Sequence, residues 1–373
     1  MNPRHLGPAL ALIAFHLPAA AADTFFPLPT APLASLIPSP PGTLASQATL
    51  AHVIQAGHPA PHPLSGILPD NPTLRIDPNT TTSPFAGVGS LFANDDPSTP
   101  FGVLCTATPI SSWQVLTAAH CLDIVDGDGR SDVRPENALF ILNYGSDFSH
   151  IIPAASITLH PDYNGYSGLG VSDDLAILHL TSPLPPGVPI YPLADPNWLS
   201  VAPVILVGYG DSGDGVNGYS VGSQFSIKRV GVNLIEYAEL DDDGGPEVEI
   251  IAWDFEYEGD PGRYDLFGIP FAFPNRLETT LGSGDSGGPA FMLNPYDPSD
   301  PQLYLAGVNT FSFWFEGVPN HDQPGRFGSG SGGIWLNAEY QAWITSVPET
   351  STWLAGGALL SLFLLTRRRP ASR

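Results

Sequence analysis

Ser286 lies in the stretch Gly284-Asp285-Ser286-Gly287-Gly288-Pro289, among residues that permit a tight turn. Glycine tolerates dihedrals that other residues avoid, so neighbouring N–H groups can converge beside the hydroxyl. A nucleophile next to preorganised donors is what acyl transfer requires. Upstream, Thr117-Ala118-Ala119-His120-Cys121 supplies an imidazole and Asp174-Leu175-Ala176-Ile177-Leu178 a carboxylate, in the chain order His, Asp, Ser. A hydroxyl is a weak nucleophile until a base takes its proton, and the base needs a third group to orient it.

These three blocks, in this order, resemble the chymotrypsin/trypsin-like serine protease family across residues 85–344. The resemblance implies an all-β fold: two six-stranded antiparallel β-barrels with a short C-terminal helix. It implies a serine endopeptidase that hydrolyses peptide bonds through an acyl-enzyme. Ser286 would attack the carbonyl, His120 would shuttle the proton, and Asp174 would hold the imidazole. Asp174 directly precedes the apolar run 175–180, as the family's aspartate does, so Asp173 reads as a solvated neighbour. The N–H groups of Gly284 and Ser286 would form the oxyanion hole, shaped by the structural carboxylate Asp285. Cys105 and Cys121, the two cysteines of the chain, occupy the places of a family disulfide.

By the same resemblance, Thr280 lies at the base of the specificity pocket, six residues before Ser286. Thr310 and Phe311 would face the substrate backbone, Ser312 would narrow the pocket, and Gly333 would form its opposite wall. Without an aspartate at the base, the expected P1 residue is small or medium and uncharged. The family usually begins its mature form with a new amine that reaches the carboxylate at Asp285. The nearest candidate, Arg75-Ile76-Asp77-Pro78, lacks the usual glycines, so Asp285 is expected to be satisfied otherwise. The chemistry requires no cofactor. A reading from another class is a catalytically silent surface adhesin or binding module on the same scaffold.

The elements that must position these groups are short strands. With 39 glycines and 41 prolines in 373 residues, long loops and little helix are expected. Strands are read at 85–91, 102–110, 113–117, 138–142, 174–180, 203–210, 248–253, 303–309 and 333–336, with a helix over 338–344. Asp126, Asp128 and Asp132 surround glycines like part of a calcium loop, which makes calcium a candidate structural ion. The alternative is an acidic turn, because Ile124 and Pro135 fall at the first and last ligand positions of an EF-hand-type register.

The net charge is −24 and Lys228 is the sole lysine. Nucleic acid is excluded as a partner, since phosphate binding needs a basic face. Residues 1–22 read as a signal peptide: Arg4 and His5, an apolar run over 6–17, then Ala19-Ala20-Ala21-Ala22. Residues 23–73 are a Pro-rich linker or propeptide, and 74–346 the protease domain. Residues 347–373 combine Val347-Pro348-Glu349-Thr350, an apolar stretch and Arg367-Arg368-Arg369. The tail resembles the PEP-CTERM sorting signal of Gram-negative bacteria, with Thr350 in place of the usual second proline. That resemblance implies a sorting enzyme of the exosortase type, membrane contact through the C-terminal helix, and export to the cell envelope, surface or matrix. The apolar stretch is short beside the about 20 residues of a membrane span.

Overall fold

Six strands in the first half of the chain close into a barrel. They are β1 (Gly89–Ala93), β2 (Val103–Pro109), β3 (Gln114–Thr117), β4 (Ala138–Leu142), β5 (His150–Leu159) and β6 (Ala176–Leu180). Their order is β1-β2-β3-β6-β5-β4, and antiparallel pairing of Ser90 with Ile141 helps to close the ring. Short apolar runs suit such strands, and closure removes the exposed edges. Leu91, Leu116, Phe140, Ile152 and Ile177 are buried in one shared core. The structure, a computed structural model, describes residues 72–165, 172–199, 203–315 and 317–349.

The second half contributes β7 (Pro203–Gly208), β8 (Ser212–Asp214), β9 (Gly218–Val221), β10 (Arg229–Leu234), β11 (Tyr237–Leu240) and β12 (Val248–Asp254). After these come β13 (Pro289–Met292), β14 (Tyr304–Phe313) and β15 (Gly330–Trp335). Seven of them form one sheet in the order β10-β7-β13-β14-β15-β12-β11, while β8 and β9 pair as a separate hairpin. The sheet does not close, which corrects the expected second six-stranded barrel. The free edge of β10 is occupied by residues 277–279: Val232 donates to Leu277 O and Thr279 donates to Val232 O. β12 meets β10 through a side chain, the Asn233 amide donating to Asp254 O at 2.7 Å and to Thr279 O at 2.6 Å.

Helix α1 (Ala338–Ser346) is the expected C-terminal helix, capped by Asn337, whose side chain accepts from the Tyr340 N–H. The first strand begins later than expected, at Gly89. Residues 85–88 turn instead, with Val88 N–H donating to Phe85 O. The segment before that turn is pinned against the second sheet. Arg75, 1% exposed, donates to the carbonyls of Asn275 and Leu277. Asp77 pairs with Lys228 at 3.3 Å, and the Lys228 ammonium also donates to Phe85 O. Cys105 and Cys121 form a disulfide. Among the described residues no helix is long and apolar enough to cross a membrane. The signal peptide, most of the linker and residues 350–373 of the sorting tail lie outside the described residues.

Removing one partner of a buried ion pair strands the other charge, at a cost of about 3–5 kcal/mol. Lys228→Met should therefore lower stability by about that amount, read as a lower midpoint in urea unfolding. An unchanged midpoint would show that the pair does not hold the segment.

Candidate functional site

Thr106 on β2 joins the two halves. Its N–H donates to Ser286 O at 2.8 Å and its hydroxyl to Gly284 O at 2.9 Å. The hydroxyl of Thr117, the last residue of β3, donates to Thr106 O at 2.8 Å. His120 follows on the next turn, and the disulfide ties that turn back to β2. The nucleophile loop and the histidine turn are therefore held to the same pair of strands. Gly287 makes the approach possible: at φ +80°, an added Cβ would lie 2.0 Å from Thr117 Oγ1.

Asp174 is fully buried and addresses His120 with both oxygens. Oδ1 accepts the His120 backbone N–H at 2.8 Å, and Oδ2 lies 2.6 Å from Nδ1. That contact assigns the Nδ1 proton to the Asp174 side and leaves Nε2 as the basic nitrogen. Burial lowers the His120 pKa, but the charge and hydrogen bond of Asp174, with the more distant charge of Asp123, outweigh it and leave the pKa raised.

Asp173 is not the solvated neighbour expected from its position. It is 9% exposed at φ +55°, and its N–H donates to Glu249. The Tyr340 hydroxyl, on α1, lies 2.9 Å from both Asp173 and Glu249, and His160 lies 3.1 Å from Asp173. A turn that must place Asp174 is thus held from behind by the C-terminal helix.

Around Ser286, the N–H groups of Asp285, Gly287 and Gly288 are used, donating to Gly282 O, Asn309 O and Asp285 O. None of the hydrogen bonds among the described residues uses the Gly284 or Ser286 N–H. Gly284 takes φ +101°, which turns the chain so that this arrangement forms. Asp285 is satisfied from inside the fold. Its oxygens accept the N–H groups of Gly210 and Gly282, both at 2.8 Å. Burial pushes its pKa up to about 7, against those two bonds and the charge of Arg229. Arg229, on β10, is fully buried and also donates to Gly210 O at 3.0 Å. Ile76 pairs with Arg229 as an isolated bridge.

Thr280 is fully buried, its hydroxyl bonded to that of Ser331. Thr310, Phe311 and Ser312 lie on β14, with Phe311 opposite Gly332 and Ser312 opposite Ser331 on β15. At Gly333, on the same strand, an added Cβ would meet Val308 O at 2.0 Å. Ser331 and Tyr219 are the residues that sequence reasoning missed. The Tyr219 hydroxyl, on β9, donates to Leu281 O and interacts with Ser312, bridging the segment after Thr280 and β14. No local motif marks either residue.

The acidic loop also differs from expectation. Asp126 and Asp128 come together with buried Asp123, whose Oδ1 has no partner. Asp132 stands apart, accepting the Val125 N–H at 2.8 Å.

If His120 is a base, it must be neutral to act, so kcat/KM should rise with pH through an inflection above 6.5 and be lost below it. In Asp174→Asn the raising charge is gone, so the inflection should move down and kcat should fall by about 10⁴-fold. A pH–rate profile of both forms checks this. An inflection that stays put would detach Asp174 from His120.

Residues 81–250 match the family model described as Trypsin. The match takes in His120, Asp174 and the disulfide and ends before Ser286. It supports a hydrolase of the chymotrypsin/trypsin-like serine protease kind, acting on protein or peptide substrates.

Proposed function

We propose that this chain is an exported serine endopeptidase in which His120, Asp174 and Ser286 form the catalytic triad. The observation that carries the reading is the double tie of Thr106 to the Ser286 loop, with His120 and Asp174 bonded on the adjoining turn. Ser286 attacks the scissile carbonyl as Nε2 of His120 takes its proton. Asp174 stabilises the imidazolium, and the uncommitted N–H groups of Gly284 and Ser286 receive the developing oxyanion. Collapse expels the amine with the proton from His120, and water then releases the acyl group.

The preferred P1 residue is small or medium and uncharged. Thr280 brings no charge to the pocket base, and Tyr219 spans from Leu281 to Ser312 across its side. A structural calcium ion at Asp126 and Asp128 belongs to the same reading, with Asp123 replacing Asp132 as the third carboxylate. The two termini support export and delivery to the envelope of a Gram-negative bacterium, with the tail recognised by a sorting enzyme of the exosortase type. Intact mass and terminal sequencing of protein from its host tests that part. A chain retaining both ends would overturn it.

A serine-directed fluorophosphonate should label the wild type and not Ser286→Ala. No label on the wild type, or equal label on both, would instead support a binding module. In a peptide library, strong cleavage after Arg or Lys would sink the P1 assignment. Tyr219→Ala should raise the relative rate on larger apolar P1 residues by about tenfold or more.

A further inference from the structure

Three carboxylates meet where β10 and β12 end, remote in sequence from the acidic loop near His120. One ligand oxygen from each of Glu236, Asp254 and Glu256 lies within 4.8 Å of the others. Asp254 is 1% exposed and Glu256 is fully buried. Each of the first two anchors itself with one oxygen. Glu236 Oε2 accepts the Asp254 N–H at 3.2 Å, and Asp254 Oδ2 accepts the Leu266 N–H at 2.5 Å. The Glu236 and Asp254 carboxyls otherwise meet only each other, and both oxygens of Glu256 lack a partner in hydrogen-bond geometry. The Phe271 backbone lies close enough to Glu256 to favour its charged form.

Three carboxyl groups this buried and this close, with so few donors around them, are costly to hold charged. No ion pair among the described residues engages any of the three groups, and the charges acting on Glu256 are those of Asp254 and Asp265. A cation between them would remove both the repulsion and the missing bonds. The donor set is all oxygen and carries up to three negative charges, which suits a hard divalent ion. Calcium binds oxygens at about 2.3–2.6 Å, so oxygens across the ion are separated by up to about 5 Å, in keeping with the observed spread. Glu236 is half-buried and offers the path of entry.

We infer that Glu236, Asp254 and Glu256 form a calcium site inside the second sheet, separate from the acidic loop. The ion would clamp the end of β12 to the end of β10, where the sheet lacks a closing ladder. Its effect would reach the pocket through the strand pair, since Asp254 pairs with Gly330 and Trp253 with Ser331, whose hydroxyl meets Thr280. This inference does not rest on the proposed triad.

The test is equilibrium dialysis of calcium on the full chain carrying Asp126→Asn and Asp128→Asn, which silences the exposed loop. This protein should still bind one calcium ion, and calcium should raise its melting temperature. Adding Glu256→Gln should weaken binding at least tenfold and abolish the shift. If that variant does not fold, Glu236→Gln on the half-buried side is read in the same way. Absence of binding in the loop variant at millimolar calcium would overturn the site and leave the carboxyls sharing protons instead. An unchanged calcium response after Glu256→Gln would overturn it equally.

Discussion

Thr106 donates twice into the loop that carries Ser286, once from its backbone and once from its hydroxyl, and accepts from Thr117 on the strand that leads to His120. These bonds are buried, and each ties residues from opposite halves of the chain or from adjoining strands. Without them, the closed barrel and the open sheet would be two β-structures side by side. With them, the loop that carries Ser286 is tied to the pair of strands that lead to His120. The disulfide and the short approach at Gly287 serve the same joint, one by closing the chain behind His120 and the other by keeping its space free of side chains. The carboxylate is positioned separately, from behind, by the Asp173–Tyr340–Glu249 contacts of the C-terminal helix.

A chain with net charge −24 must decide where its few cations go. Here three of them are spent in the interior, where charge interacts most strongly. Arg229 stands near Asp285, Lys228 against Asp77, and Arg75 against backbone carbonyls of the 275–278 segment. All three lie along one seam, where the N-terminal segment crosses β10. The acidic surface keeps few cations for itself, and among the described residues the carboxylates at the end of β12 stand close together with no cationic side chain paired to them.

The groups proposed to do chemistry were legible because each comes in a contiguous block whose residue types are constrained by the reaction. The first barrel was legible too, since runs such as Ala138-Leu139-Phe140-Ile141-Leu142 are apolar throughout. β5 was not: His150–Leu159 includes Pro153 and alternates exposed with buried positions irregularly. The open sheet was illegible for another reason. What replaces the closing ladder is residues 277–279 lying along β10, and that pairing leaves no periodic trace in either segment. Asp173 and Asp174 are chemically identical neighbours, and only the distant Glu249 and Tyr340 reveal that both are buried. The partner of Asp285 was hidden likewise, because Arg229 is an ordinary residue at the start of an ordinary strand. The proposed pocket was half legible: Thr280 was named by counting from Ser286, whereas Tyr219 reaches Leu281 and Ser312 from a hairpin with no local mark.

The burial of Lys228 has a bearing on how the molecule meets reagents. As the chain's sole lysine, fully enclosed and bonded to Asp77 and Phe85, it leaves the folded surface without a side-chain primary amine. Acylating dyes, aldehyde fixatives and amine-coupled resins would find only the terminal α-amine to react with. The folded protein is therefore suited to attachment at a single defined point, and uptake of a second amine label would report that the seam around Lys228 has opened.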